Sequence, residues 1–327
     1  MTGGTSETEP GHPPVAYLTI FTAPKPFAEP HIGRIQRNAI RSWVALGPEV
    51  QAILVGDEPG IEDAAAEAGA IHLGDVKRNE HGTPLVSSIF ASARGYDRTP
   101  FLAYVNADII LFDDFLEATR TAAGGGGPFV IVGQRWDLDV AEPLDLSAGW
   151  QDRLREKALD AGQLHPPGGS DYFAFPRECF TEIPPFAVGR AGWDNWMIYH
   201  ARRHGWTVID ATASVLIIHQ SHDYGHLPGG RPHYRLPESE RNIMLAGGRR
   251  VIFSLGDATH LLVDGQIQTR PLGWSGLVRR IETFPALAFG SPALAQITYS
   301  LVHPVRAFRE LKGWAGAVLK GLSKRRP

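Results

Sequence analysis

Short apolar runs alternate with helical patterns through the first half of the chain. "VAYLTIF" (15 to 21) has the length and content of a buried strand, and it leads into "TAPKPF", a turn carrying two prolines. In "GRIQRNAIRSWVAL" (33 to 46) the apolar residues Ile35, Ala39, Ile40, Trp43 and Val44 recur at helical spacing. "VQAILVGD" (50 to 57), "GIEDAAAEAG" and "AIHLGDV" repeat the strand, helix, strand order, so the spacing predicts βαβ units feeding a mostly parallel sheet. Thr83 and Pro84 predict the start of a helix over 83 to 96, as its N-cap and first helical residue. "PFLAYVNADIILF" then reads as one strand, followed by a polar turn at Asp113 and Asp114, a helix "FLEATRTAA" stopped by "GGGGP", and a strand "FVIVGQRWD".

The alternation loosens between 137 and 250, where Pro, Gly, His and Trp are frequent. A helix is expected at "WQDRLREKALDAG", a strand at "DYFAFP", a helix at "WDNWMIYHARRHG" and a strand at "TVIDATASVLIIH". Long loops on one side of a rigid sheet suit recognition. The remainder opens with strand-like "RRVIFSLGDATHLLVDGQIQT" and ends in amphipathic, basic-ended helices.

Composition narrows the class. A chain of 327 residues that is 43% hydrophobic and 20% charged buries a substantial core as one large domain or two modest ones. A net charge of −3 argues against a protein that coats nucleic acid. The single cysteine, Cys179, excludes an internal disulfide and a multi-cysteine zinc site, and with no secretory signal in "MTGGTSETEPGHPP" it points to the cytoplasm. Residues 1 to 14 are expected to be a flexible leader. "FPALAFGSPALAQITYSLV" (284 to 302) is uncharged, but Pro285, Gly290, Pro292 and Gln296 interrupt it as a membrane span.

The candidate chemistry begins inside the fourth strand, where Asn106 and Asp108 sit among apolar residues. Alternate strand positions face the same way, so the pair forms a two-point polar hook near the carboxyl end of the sheet, where α/β proteins bind ligands. Further on, "VGRAGWDNW" delivers Asp194 near a helix N-terminus between two tryptophans, and "IIHQSHDYGH" places His219, His222 and His226 at a strand exit.

With these motifs the chain resembles the GT-A class of nucleotide-sugar glycosyltransferases over residues 15 to 225. "VNADIIL" is similar to that class's D-x-D-type metal motif, with Asn106 in place of the first Asp. The resemblance implies a GT-A fold: a Rossmann-like, mixed α/β sheet with flanking helices, here with a helical C-terminal extension. It implies a catalytic domain over 15 to 250, with a nucleotide-sugar half (15 to 136) and an acceptor half (137 to 250), and an extension over 251 to 327. Thr22, Ala23 and Pro24 would then frame base and ribose, Lys25 approach phosphate, and Asp57 contact the uracil or ribose. Asn106 would touch the donor, and Asp108 would hold Mn²⁺ or Mg²⁺ with His219 or His222; an imidazole ligand favours Mn²⁺.

Ser170, Asp171, Arg190 and Trp193 would line the acceptor, and Asp194 would act as the base of an inverting transfer. The implied partners are a UDP- or GDP-linked sugar donor and a hydroxyl acceptor, such as a lipid-linked glycan in bacterial surface-polysaccharide synthesis. Tryptophans and basic residues in the tail suit contact with a membrane surface or a second subunit. Three other readings stay open: a zinc hydrolase built on the histidines, a nucleotidyltransferase, and a non-catalytic nucleotide-sugar-binding protein. The helical HExxH pattern and a glycine-rich phosphate loop, marks of the first two, are both absent from the sequence.

Overall fold

The computed structural model describes residues 16–96, 98–221 and 236–312. Strands β1 (Leu18–Thr22), β2 (Val50–Val55), β3 (Ile71–Leu73) and β4 (Phe101–Val105) run parallel in the order β3-β2-β1-β4. Helices α1 (Pro30–Val44), α2 (Ile61–Ala68) and α3 (Val86–Tyr96) make the crossovers. Beyond β4 the sheet turns mixed. Strand β9 (Tyr172–Pro176) lies antiparallel between β4 and β6 (Phe129–Val132), and β10 (Thr207–Asp210) and β12 (His260–Val263) continue parallel to β6. A hairpin to β13 (Gln266–Thr269) closes a nine-stranded edge. This is a mixed α/β sheet flanked by helices, and it extends past residue 250.

The sheet is buried on both faces, which is why its strands read as continuous apolar runs. Leu102 and Tyr104 of β4 face the core under α3 and α6 (Trp193–Arg203), whereas Ala103 and Val105 face the core under α1, α2 and α4 (Asp113–Gly124). Phe173 and Phe175 of β9 alternate with Tyr172 and Ala174 in the same way.

A second, four-stranded sheet forms beside the first in the order β5 (Ile109–Ile110), β11 (Ile218–Gln220), β7 (Trp136–Leu138), β8 (Gln163–Leu164), and α5 (Trp150–Ala161) covers it. Three expected strands are broken to build it. The run 100 to 112 ends as a strand at Val105, the last partner of Tyr172; Asn106 N–H then donates to Asp171 O, and Ile109 N–H back to Asn106 O. Asn106 and Asp108 therefore stand in a turn, not on alternate strand positions. The run 129 to 137 breaks at Gly133, where a Cβ would lie 2.4 Å from the Tyr172 hydroxyl. The run 207 to 219 breaks after Asp210, whose carboxylate accepts from the Thr212 N–H and hydroxyl.

Three local expectations also change. Pro84 and Leu85 are extended, bridging to Arg78 and Ala187, so α3 begins at Val86 rather than Thr83. Asp113 and Asp114 open α4 instead of forming a solvated turn. Asp114 pairs with Arg155 and accepts the Leu216 N–H, and burial raises its pKa. Residues 249–251 and 255–257 are short 3-10 turns ahead of the β12–β13 hairpin.

Beyond the hairpin, α8 (Trp274–Phe289) contains Pro285 and ends at Gly290, and Pro292 opens α9 (Pro292–Val302). Among the described residues no helix is long and apolar enough to cross a membrane.

Candidate functional site

The second sheet gathers the site. In its register His219 of β11 lies opposite Asp137 of β7 on one side and Ile109 of β5, the neighbour of Asp108, on the other. Stretches 29 and 111 residues away in sequence are thereby brought to Asp108. The His219 Nδ1 lies 3.0 Å from Asp137 Oδ1, and its Nε2 lies 3.9 Å from Asp108 Oδ2. A carboxylate 3.0 Å from Nδ1 favours the proton on that nitrogen, which makes Nε2 the electron-pair donor on the Asp108 side. The 3.9 Å between the two donors is a separation that a divalent cation could bridge, since its bonds to oxygen and nitrogen are about 2.0–2.2 Å.

Asp137 is a residue the sequence reading passed over. Its carboxylate also receives Arg135 Nε at 2.9 Å and His165 Nδ1 at 2.7 Å. Burial raises its pKa, but the hydrogen bonds from His219 and His165 and the Arg135 charge outweigh that and hold it well below the usual carboxylate range. The signal was present in "GQRWD" as a carboxylate at the end of an apolar run, the same pattern that marked Asp108. His165, in "QLHPPGG", carried no such signal.

Arg135 carries the network onward, donating at 2.8 and 2.9 Å to both oxygens of Asp171. Asp171 also accepts Asn106 Nδ2 at 2.8 Å. These two residues, expected to touch acceptor and donor, are joined to one another at the mouth of the sheet. Ser170 is buried, and its hydroxyl donates to Tyr172 O at 2.9 Å, so it shapes the loop and does not face an acceptor.

Asp194 stands in the first turn of α6, whose N-cap is Gly192 with φ 107°. A Cβ on Gly169 would come within 2.8 Å of Asp194 Oδ2, so that glycine allows the 168–170 loop to lie against the carboxylate. Asn195 locks the turn by donating to Phe253 O at 2.6 Å and Gly168 O at 3.2 Å. Burial pushes the Asp194 pKa up to about 6, the Gly192 and Asn195 backbone N–H groups pull against it, and the Asp171 charge adds to the rise. That value suits a group that takes a proton near neutrality.

Two expected acceptor contacts are elsewhere. Trp193 is taken into the core, edge-on to Tyr104 at 4.9 Å and tilted against Phe173, because α6 packs its first turn on the sheet. Arg190 donates to Glu238 Oε2 at 2.8 Å and ties its loop to α7 (Pro237–Leu245).

At the carboxyl end of β1, Thr22 and Pro24 are buried and Ala23 is partly exposed. Lys25 is fastened through its backbone to Gln36, by N–H to Oε1 at 2.7 Å and C=O from Nε2 at 2.9 Å. Burial lowers the Lys25 pKa, and the nearby Asp108 charge works against that. Asp57, after β2, is exposed and paired with Arg78, which also binds Glu58 at 2.9 Å. His222 and His226 lie outside the described residues. Among the described residues no three His, Cys, Asp or Glu side chains already converge on one point as a metal-holding group. A cleft of about 820 Å³ lies away from these residues, between Arg94, Phe180, Trp196 and His204.

No protein-family model matches the chain, and no curated protein does. Some solved structures align with it. Glucosyl-3-phosphoglycerate synthase from Mycobacterium tuberculosis in complex with phosphoglyceric acid aligns at 14% identity and a TM-score of 0.45, over 72% of this chain and 81% of that one. Another structure of the same synthase aligns at 16% identity and 0.43, over 80% and 89%. A third, described as a mycobacterial protein, aligns at 15% and 0.42, over 72% and 76%.

Proposed function

We propose that the chain is a divalent-metal-dependent glycosyltransferase that moves a sugar from a nucleoside diphosphate to a hydroxyl acceptor. The observation that carries this reading is the pair of donors at the carboxyl end of the sheet, Asp108 Oδ2 and the Asp137-oriented Nε2 of His219, 3.9 Å apart with Lys25 nearby. A carboxylate and an imidazole suit Mn²⁺, and Mg²⁺ through Asp108 and water. Bound there, the cation would neutralise the charge that develops on a departing diphosphate.

The chain's own residues supply the rest. The 22–25 turn and Asp57 would flank a UDP or GDP donor, and the Lys25 ammonium would meet its phosphates. Asp194 would take the acceptor hydroxyl's proton as the oxygen attacks the anomeric carbon opposite the leaving diphosphate, which inverts that centre. The Arg135–Asp171 pair, whose carboxylate also acts on Asp194, would form the floor between base and donor. The acceptor we assign is a lipid-linked glycan made in the cytoplasm for a bacterial surface polysaccharide.

Calorimetry with UDP- and GDP-sugars, with and without Mn²⁺, tests the donor site. Metal-dependent binding that disappears in Asp108→Ala is expected, and absence of binding to every donor in both conditions sinks the reading. Asp194→Asn is expected to bind donor normally but transfer at least about 100-fold more slowly. An unchanged rate removes Asp194 from the mechanism.

A further inference from the structure

Of the sixteen exposed large apolar side chains among the described residues, twelve lie between Leu272 and Leu311. They are not scattered. On α8 they fall at Trp274, Leu277, Ile281 and Phe284, at successive steps of three, four and three residues, which is one stripe of a helix. The opposite side of α8 faces the body: Thr283 and Ala286 are buried there, Ala286 O accepts the Tyr199 hydroxyl, and Arg279 binds Asp257. Core packing therefore accounts for the inner stripe and leaves the outer one exposed among the described residues. Trp274 is 79% exposed and Leu301, on α9, 78%. A contiguous patch of this kind on a globular chain marks an interaction surface.

Charge decides what meets it. Only two acidic residues occur from 272 to 312, and both are occupied: Glu282 by Arg279 and His303, and Glu310 by Arg250. The charged side chains left facing outward are Arg280, Arg306, Arg309 and Lys312, all basic and all exposed. The sequence that follows adds Lys320, Lys324, Arg325 and Arg326 and no acid. A second copy of the chain seated on this face would set these cations against their own copies. An anionic bilayer instead takes the apolar stripe among its acyl chains and the cations at its headgroups.

We propose that the outer face of α8, α9 and residues 304–312 docks in the plane of an anionic lipid surface. With a length of 16 residues and Pro285 inside it, α8 lies on the bilayer and does not cross it. Lipid binding is read here independently of what the chain transfers, so its failure and the failure of the catalytic reading are separate events.

The test is co-sedimentation of the full chain with vesicles of phosphatidylcholine alone and of phosphatidylcholine mixed with phosphatidylglycerol. The expected result is binding to the mixed vesicles that weakens with salt. Binding is expected to fall at least about tenfold in Ile281→Asp with Leu301→Asp, and comparably in Arg306→Glu with Arg309→Glu. The second pair changes only exposed side chains, so it decides the matter even if the first disturbs folding. No sedimentation with mixed vesicles, equal sedimentation with both kinds, or a dimer in light scattering that Ile281→Asp dissolves without any lipid binding would each overturn the proposal.

Discussion

Asp194 has a raised pKa because burial disfavours its charge more than the α6 N-terminus favours it. Its folded pKa of about 6 exceeds the unfolded carboxylate value. The folded state therefore holds the proton more tightly, and stability falls as pH rises from about 4 to about 6. Asp194→Asn is expected to remove that fall and to gain on the order of 2 kcal/mol at pH 7 by urea titration. The wild-type kcat/KM is expected to rise through about pH 6 and level off, while the low rate of Asp194→Asn stays flat across the same range.

Asp137 acts at the same scale but through another residue. It fixes the His219 ring, so Asp137→Asn is expected to weaken Mn²⁺ binding by calorimetry about 10- to 100-fold. Unchanged affinity would show that the ring needs no such partner. Asp108 and Asp194 stand out in the sequence because a carboxylate inside or beside an apolar run needs a reason. Arg190 and Trp193 were misplaced for a different cause: their types suit a sugar site, but their neighbours Glu238 and Tyr104 come from distant segments.

At the scale of elements, the small sheet depends on a buried amide pair. Asn38 of α1 donates to Gln220 Oε1 and Glu142 O at 3.0 Å and accepts the Leu144 N–H at 2.7 Å. Gln220 in turn donates to Ile35 O at 2.7 Å and to Asp108 O at 3.2 Å. These bonds hold β11 against α1 and fix the backbone of Asp108 itself. Asn38→Leu leaves two buried polar groups, Gln220 Oε1 and the Leu144 N–H, without their Asn38 partner, and a loss of about 2 to 4 kcal/mol is expected in chemical denaturation. The same variant is expected to lose Mn²⁺ affinity, because β11 carries His219. The helices up to α6 and the first three strands were legible from periodicity, whereas α7 and the end of β4 at Val105 were not. The small sheet was not, because two- and three-residue strands show no period and exist only through their pairing.

Across the whole molecule, the extension is part of the fold on one side and free on the other. Ala286 and Ala295 are buried in the main core, and Tyr199 and Phe253 pack together beneath α8 at 5.3 Å. A chain ending at residue 271 is expected to melt lower by more than about 5 °C, since the core under α6 would open to water. A melting temperature equal to that of the full chain would mean that the extension contributes nothing to the core.

The sequence by itself determined the βαβ half, the class of the sheet and the carboxylates that break its apolar runs, because period and burial are local properties of a chain. Tertiary structure alone decided that Asp137 orients His219 toward Asp108, that Trp193 is core, and that the tail has one face in the protein and one outside it. Each of these depends on which distant segment arrives beside a side chain, and strand register and helix packing settle that only once the chain has folded.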